Sequence, residues 1–172
     1  MTMQGRSFIL TIGRSQLLIL RMLFMLHLPK KEPIITYSLS LRSRYSETDK
    51  MGVVYHSRYL EYFEVIRTEF IRQAGLSYRE MEESGVIMPV VGLETRFRRP
   101  VLYDDSMEGR LLIYEEPVMR LTTWYEIRTE REQDFAVLGK VDLAFLSMET
   151  RRPMRVPDLF LSKLRNYGQV AQ

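Results

Sequence analysis

Between residues 45 and 67 the chain reads Tyr-Ser-Glu-Thr-Asp-Lys-Met-Gly-Val-Val-Tyr-His-Ser-Arg-Tyr-Leu-Glu-Tyr-Phe-Glu-Val-Ile-Arg. This run sets one carboxylate, Asp49, in a polar loop that leads through Gly52 into the start of the longest helical pattern in the chain. At a helix start the first backbone N–H groups lack intrahelical partners and the macrodipole is positive, so a developing oxyanion is stabilised there. Gly52 can adopt backbone angles closed to other residues and lets a ligand approach the main chain. A carboxylate beside an anion-stabilising helix end can assist attack on a carbonyl. The ordinary uses of the same residues stand beside that reading: Asp in a Thr-Asp-Lys-Met-Gly loop serves as a turn or capping residue, and a histidine at a helix start packs or caps.

Other candidates carry less. Glu64 is a second carboxylate on the helix, and its structural use is an ion pair with Arg67 three residues on. Arg96, Arg98 and Arg99 before Pro100, and Arg151, Arg152 and Arg155 after the last strand, have the chemistry for phosphate contacts. Charge that protects a strand edge is the commoner use of such groups. Trp124, Tyr125 and Phe145 read as core or interface aromatics. The chain has no cysteine, which removes disulfides, thiolate metal sites and a cysteine nucleophile. With only His27 and His56, a multi-histidine metal site within one chain is excluded.

The elements that must position the window follow from periodicity. Ile35, Tyr37, Leu39 and Leu41 alternate with polar residues, a half-buried strand. Tyr59, Phe63, Ile66, Phe70 and Ala74, with Leu60 and Ile71, predict a helix from about His56 to Ala74, stopped by Gly75. Ser77 with Glu80 is a capping-box signature for a short helix over Ser77 to Ser84. Strands are predicted at Val86 to Arg98, interrupted by Pro89, then Met107 to Tyr114, Met119 to Glu130 and Phe135 to Leu146. Short turns at 115–117 and 130–134 favour antiparallel neighbours. Pro157 opens a C-terminal helix over roughly Asp158 to Arg165. A single antiparallel sheet needs its apolar face covered, and only the helix near 56 to 74 is long enough. The economical α+β architecture is a curved antiparallel sheet wrapped around that helix.

Length and composition fit one soluble domain: 172 residues, 45% apolar and 27% charged. The formal charge of +3 is not spread over the body. Residues 1 to 34 carry a net charge of +4 and the remainder −1. A nucleic-acid partner is therefore not expected. The apolar run Leu17 to Leu26 is broken by Arg21 and falls short of the ~18 to 20 residues of a membrane span. Residues 1 to 34 read as an extension: a targeting peptide, an amphipathic surface helix, or sequence upstream of a true start at Met22 or Met25, with residues 29 to 33 as linker to a single domain over 35 to 172.

The window resembles the signature of hot-dog-fold acyl-CoA thioesterases of the 4-hydroxybenzoyl-CoA thioesterase family, in particular the short-chain branch associated with the Tol-Pal envelope system. Tyr45, Asp49, Gly52-Val53-Val54-Tyr55-His56, Tyr59, Phe63-Glu64 and Arg67 carry the likeness, and the likeness in layout spans about residues 35 to 147. It implies thioester hydrolysis of an acyl-CoA with Asp49 as nucleophile or general base. Tyr45 and His56 would orient the reacting groups, helix-start N–H groups around Tyr55 and His56 would form the oxyanion hole, and Gly52, Tyr55 and Tyr59 would border the substrate. No cofactor is required. A second branch of the family uses a helix carboxylate, for which Glu64 is the candidate. The resemblance also implies a homodimer or homotetramer with edge strands paired and active sites at the subunit interface; a cytoplasmic location is expected, which the lack of cysteine suits, while the extension leaves organelle targeting open. Two alternatives share the fold: a 3-hydroxyacyl thioester dehydratase using His56 with Glu64, and a non-catalytic acyl-CoA-binding or envelope-scaffold protein.

Overall fold

A computed structural model describes residues 26–131 and 134–170. The readings of residues 1–25, Met22 and Met25 among them, and the part of the 130–134 turn at residues 132 and 133 lie outside the described residues.

The order is β1 (Ile35–Arg42), a single 3₁₀ turn (Tyr45–Glu47), α1 (Arg58–Gln73), α2 (Tyr78–Glu83), β2 (Val86–Ile87), β3 (Val90–Phe97), β4 (Ser106–Ile113), β5 (Arg120–Thr129), β6 (Val137–Ala144), β7 (Leu146–Ser147) and α3 (Asp158–Val170). Five strands form one antiparallel sheet in the order β1-β4-β5-β6-β3. Pro89 separates β2 from β3, and β2 turns aside to pair with β7 in a two-stranded sheet.

The sheet's inner face carries Ile35 and Tyr37 of β1, Leu111 and Ile113 of β4, Leu121, Tyr125 and Ile127 of β5, and Val137, Val141 and Leu143 of β6. Against it α1 lays Tyr59, Tyr62, Phe63, Ile66, Phe70 and Ile71, all buried. The period of two in the strands meets the three- and four-residue period of the helix, so one apolar layer serves both. The helix lies close because two strand positions lack side chains: a Cβ at Gly139 would stand 2.4 Å from the Phe63 ring, and one at Gly109 would stand 2.5 Å from Ile66 Cδ1. Phe63 stacks on Tyr125, the in-register neighbour of Gly139, at 4.5 Å between centroids.

The opposite sheet face is polar and cross-linked by Arg110–Glu126 at 2.8 Å, Thr122–Asp142 at 2.6 Å and Lys140–Glu94 at 3.2 Å. Trp124 is half-buried on this outer side against Tyr114, whereas Tyr125 and Phe145 are in the core. Residues 29 to 33, read from sequence as a linker, touch the domain: Lys31 pairs with Glu115 at 2.6 Å, and Leu26 before them accepts a long hydrogen bond from Arg96 at 3.4 Å.

Two helix boundaries differ from the sequence reading. Residues 55 to 57 form a turn, and α1 begins at Arg58. The C-terminal helix runs to Val170, past the expected end at Arg165, because Phe160, Leu164 and Tyr167 fall on one face and pack on Phe145 and Phe70. Gly168, a nominal helix breaker, sits inside its last turn near the Ile34 carbonyl, where a Cβ would come within 3.2 Å.

Candidate active site

The loop carrying Asp49 is a small hairpin. Thr48 and Val54 form an antiparallel bridge, the Asp49 N–H donates to the Val53 carbonyl at 2.9 Å, and the Gly52 N–H donates to the Asp49 carbonyl at 3.0 Å. Gly52 has φ +76°, the left-handed position that closes a three-residue hairpin loop. The Asp49 side chain takes part: its Oδ1 accepts the Met51 N–H at 2.7 Å. The turn function expected of an aspartate in this loop is thus present, and it uses one carboxylate oxygen. Oδ2 has no hydrogen-bond partner among the described residues.

A second strand of contacts fastens the hairpin to the chain after β3. Val54 N–H donates to the Val101 carbonyl at 2.8 Å, and Val53 bridges Leu102. Between hairpin, helix start and this segment opens a cleft of about 300 Å³, lined by Asp49, Val53, His56, Tyr59, Phe97 and Arg98, among others. The chain turns through 55 to 57 before α1, and the amides of His56 and Ser57 have no acceptor among the described residues. They stand at the positive end of a sixteen-residue helix. The Tyr55 amide is different, because it donates to the Glu47 carbonyl at 2.8 Å. That leaves His56 and Ser57, rather than Tyr55, as the amides open to an oxyanion.

Tyr59 is buried at the cleft floor, edge-on to Phe97 at 5.4 Å. Burial pushes its phenol up to about 12, with the nearby Asp105 charge adding to the effect against a hydrogen bond at the Val101 backbone, so it stays neutral. Tyr45 and Tyr55 lie outside the lining. Tyr45 is 79% exposed and packs edge-on against Tyr103 at 5.6 Å, with no hydrogen bond to Asp49. The Tyr55 ring stacks beside His56 at 4.1 Å.

Glu64 is exposed on α1 and is not among the cleft residues. The Glu64–Arg67 pair expected from their spacing does not form: Arg67 turns inward, is buried, and donates from Nε to the Tyr78 hydroxyl at 2.7 Å. Of the two arginine groups, Arg98 and Arg99 border the cleft, Arg98 pairing with Asp134 at 2.5 Å, while Arg151, Arg152 and Arg155 do not line it. Among the described residues, no group of three or more His, Cys, Asp or Glu side chains could hold a metal ion, and no helix is long and apolar enough to cross a membrane.

Phe97 and Glu47 were not singled out by sequence reasoning. Phe97 enters the lining through the tertiary fold and leaves no local signal. Glu47 is 2% exposed, and its carboxylate accepts hydrogen bonds from Arg44 and from the Tyr62 hydroxyl. A glutamate in a polar loop is read as solvated, so only the fold could mark it.

Comparison with known proteins bears on the family and the fold. The profile of the Thioesterase-like superfamily matches residues 43–164. The chain is 40% identical to YneP of Bacillus subtilis (strain 168) over 81 residues, 47% of this chain and about half of that protein, at 53%. It is 31% identical over 96 residues to acyl-CoA thioesterase YbgC of Haemophilus influenzae (strain ATCC 51907 / DSM 11121 / KW20 / Rd), covering 50% of this chain and 71% of the relative. The crystal structure of DHNA-CoA thioesterase from Staphylococcus aureus superposes with a TM-score of 0.69 at 30% identity, covering 80% of this chain and 95% of that one. With a sheet wrapped on one central helix and a profile match over most of the described domain, the chain belongs to the thioesterase-like superfamily of hot-dog-fold thioester hydrolases.

Proposed function

We propose that this thioester hydrolase cleaves acyl-CoA to a free acid and CoA, with Asp49 as its catalytic carboxylate. The observation that carries the reading is the juxtaposition in one cleft of Asp49, whose Oδ2 is uncommitted, with the open amides of His56 and Ser57. As general base, Oδ2 takes a proton from water while the water oxygen attacks the thioester carbonyl. As nucleophile, Oδ2 attacks that carbon itself and water then hydrolyses the acyl-aspartyl anhydride. In both routes the carbonyl oxygen becomes an oxyanion facing the two amides, a type of donor worth ~10² to 10³ in rate. The C–S bond then breaks and the thiolate, conjugate base of a thiol with pKa ~8.5, leaves with little help. His56, which lines the cleft, orients the thioester or the water. Tyr45 would act at the rim, on substrate rather than on Asp49.

Sheet geometry supports a dimer. β3 is an edge strand whose Val90, Val91, Leu93 and Phe97 are exposed, and an apolar open edge is a template for pairing with a second copy. Phe97 belongs both to that edge and to the cleft, so pairing would bring a second subunit to the site.

The test is thiol release from acyl-CoA by the full chain and by Asp49→Asn. Asparagine keeps an acceptor for the Met51 amide but cannot act as base or nucleophile, so the variant should fold normally and lose at least ~10³-fold in kcat. Retained turnover in Asp49→Asn would overturn the assignment. Hydroxylamine added during turnover separates the routes, since only an acyl-aspartyl anhydride yields a hydroxamate.

A further inference from the structure

We infer that Glu47 is a positioning residue for the chemistry at Asp49, acting with Tyr62 as a clamp between the Asp49 hairpin and the first turns of α1. The inference rests on the proposed role of Asp49 and extends it to residues outside the cleft.

A carboxylate at 2% exposure is costly unless every oxygen is satisfied. Glu47 meets that condition. Oε1 accepts from Arg44 Nε at 2.8 Å and from the same guanidinium's terminal nitrogen at 2.5 Å. Oε2 accepts the Arg44 backbone N–H at 2.7 Å and the Tyr62 hydroxyl at 2.6 Å. Its main-chain carbonyl accepts the Tyr55 N–H at 2.8 Å. One residue therefore joins three segments: the root of the loop at Arg44, its exit at Tyr55, and the helix at Tyr62.

What lies between those anchor points is the reacting geometry. The 48–54 hairpin with Asp49 springs from one side of Glu47, and the open amides of His56 and Ser57 follow Tyr55 on the other. Tyr62, one turn beyond Arg58, fixes the helix to the same carboxylate. The separation of Asp49 from the oxyanion donors is thus set through Glu47. A well-packed apolar pair would serve stability alone at least as well as a buried charge. A charge-assisted clamp adds direction, which catalysis needs.

The experiment compares the full-length wild type with Tyr62→Phe, Glu47→Gln and the double variant. Thiol release from an acyl-CoA gives kcat and KM, thermal melts give the folded fraction, and amide hydrogen exchange is followed across the chain. Tyr62→Phe removes only a hydroxyl and leaves the ring in the core. We expect kcat per folded molecule to fall about 10- to 100-fold with KM within about twofold, as for a misplacement on the ångström scale. Exchange of amides 48–56 should rise about tenfold or more while the sheet is unchanged. The double variant should be no slower than the worse single one, because both changes open the same clamp. Wild-type kcat per folded molecule in Tyr62→Phe, with wild-type exchange at 48–56, overturns the clamp while leaving Asp49 in place. A wild type without thiol release, or Asp49→Asn at full rate, overturns the reading of Asp49 and the clamp's purpose with it.

Discussion

Adding one methyl group at Gly139 should cost both stability and turnover, and the structure sets the scale. A Cβ there would lie 2.4 Å from Cε2 and Cζ of Phe63 and 3.2 Å from Cδ2. Carbon pairs rest at about 3.5 to 4.0 Å, so roughly 1 Å must be found. The ring has little room to turn, being stacked on Tyr125 at 4.5 Å with an interplanar angle of 21°. The helix must lift instead. Overpacking of this kind costs about 1 to 3 kcal/mol. At about 2 to 4 °C per kcal/mol for a domain of this size, Gly139→Ala should melt roughly 2 to 12 °C below wild type. Gly109→Ala is the control: its Cβ would meet Ile66 Cδ1 at 2.5 Å, the far end of a side chain that can change rotamer. It should lose less. Because Phe63 lies on the helix whose start follows the His56 and Ser57 amides, lifting it also displaces these proposed oxyanion donors, and kcat of Gly139→Ala, measured well below its melting temperature, should fall about tenfold or more. Circular dichroism melts and thiol release on the two variants decide the matter. A Gly139→Ala protein with wild-type melting temperature and kcat, or one more stable than Gly109→Ala, would refute the argument that close packing over these glycines holds the helix in place.

Three further outcomes follow from other parts of the molecule. Glu47 is pushed upward by burial, but hydrogen bonds from Arg44 and Tyr62 outweigh this and hold its carboxyl below the ordinary 4.5. Its contribution to stability is therefore complete above that value and is lost as pH falls through the lowered one, so Glu47→Gln should lower the melting temperature at pH 7 and approach wild type as pH falls below about 4.5, which flattens the acid limb of the profile. Tyr78→Phe leaves the buried Arg67 Nε without its acceptor and should cost about 1 to 3 kcal/mol in denaturant unfolding, although Tyr78 lies outside the cleft. Leu93→Glu places a charge on the open β3 edge and should shift the mass in light scattering to that of a monomer, with loss of activity if the site is completed by a second copy.

The architecture was legible in the sequence because its signals are periodic and reinforce one another. The alternation in β1 and β5, the three- and four-residue spacing of Tyr59, Phe63, Ile66 and Phe70, and the Ser77–Glu80 capping box all correspond to observed elements. The two-residue strands β2 and β7 were not legible as a pair, since nothing local joins Val86 to Ser147. The last turn of α3 lies past the end read at Arg165, although Phe160, Leu164 and Tyr167 mark a continuing face. At the site, the loop-to-helix arrangement of Asp49, Gly52 and His56 could be read from residue types. The withdrawal of the Tyr55 amide into a bond with Glu47, the inward turn of Arg67 away from Glu64, and the wall supplied by Phe97 depend on segments distant in sequence or on rotamer direction. No window of residues carries that information.

The hydrogen bond from the Met51 amide to Asp49 Oδ1 constrains what this position can become. In the reaction proposed for Asp49 the other oxygen either gains a proton or carries an acyl group, and in each case Oδ1 becomes a carbonyl oxygen that still accepts the amide. The loop therefore keeps its shape while its central side chain changes covalent or protonation state. Glutamate at this position would preserve the charge and lengthen the arm by one methylene, which breaks the short ring closed with Met51 and lets the hairpin drift. Asparagine would preserve the ring and abolish the chemistry. On the role proposed for Asp49 only aspartate satisfies both demands, which ties the fold of the hairpin and the reactivity of the site to a single carboxylate.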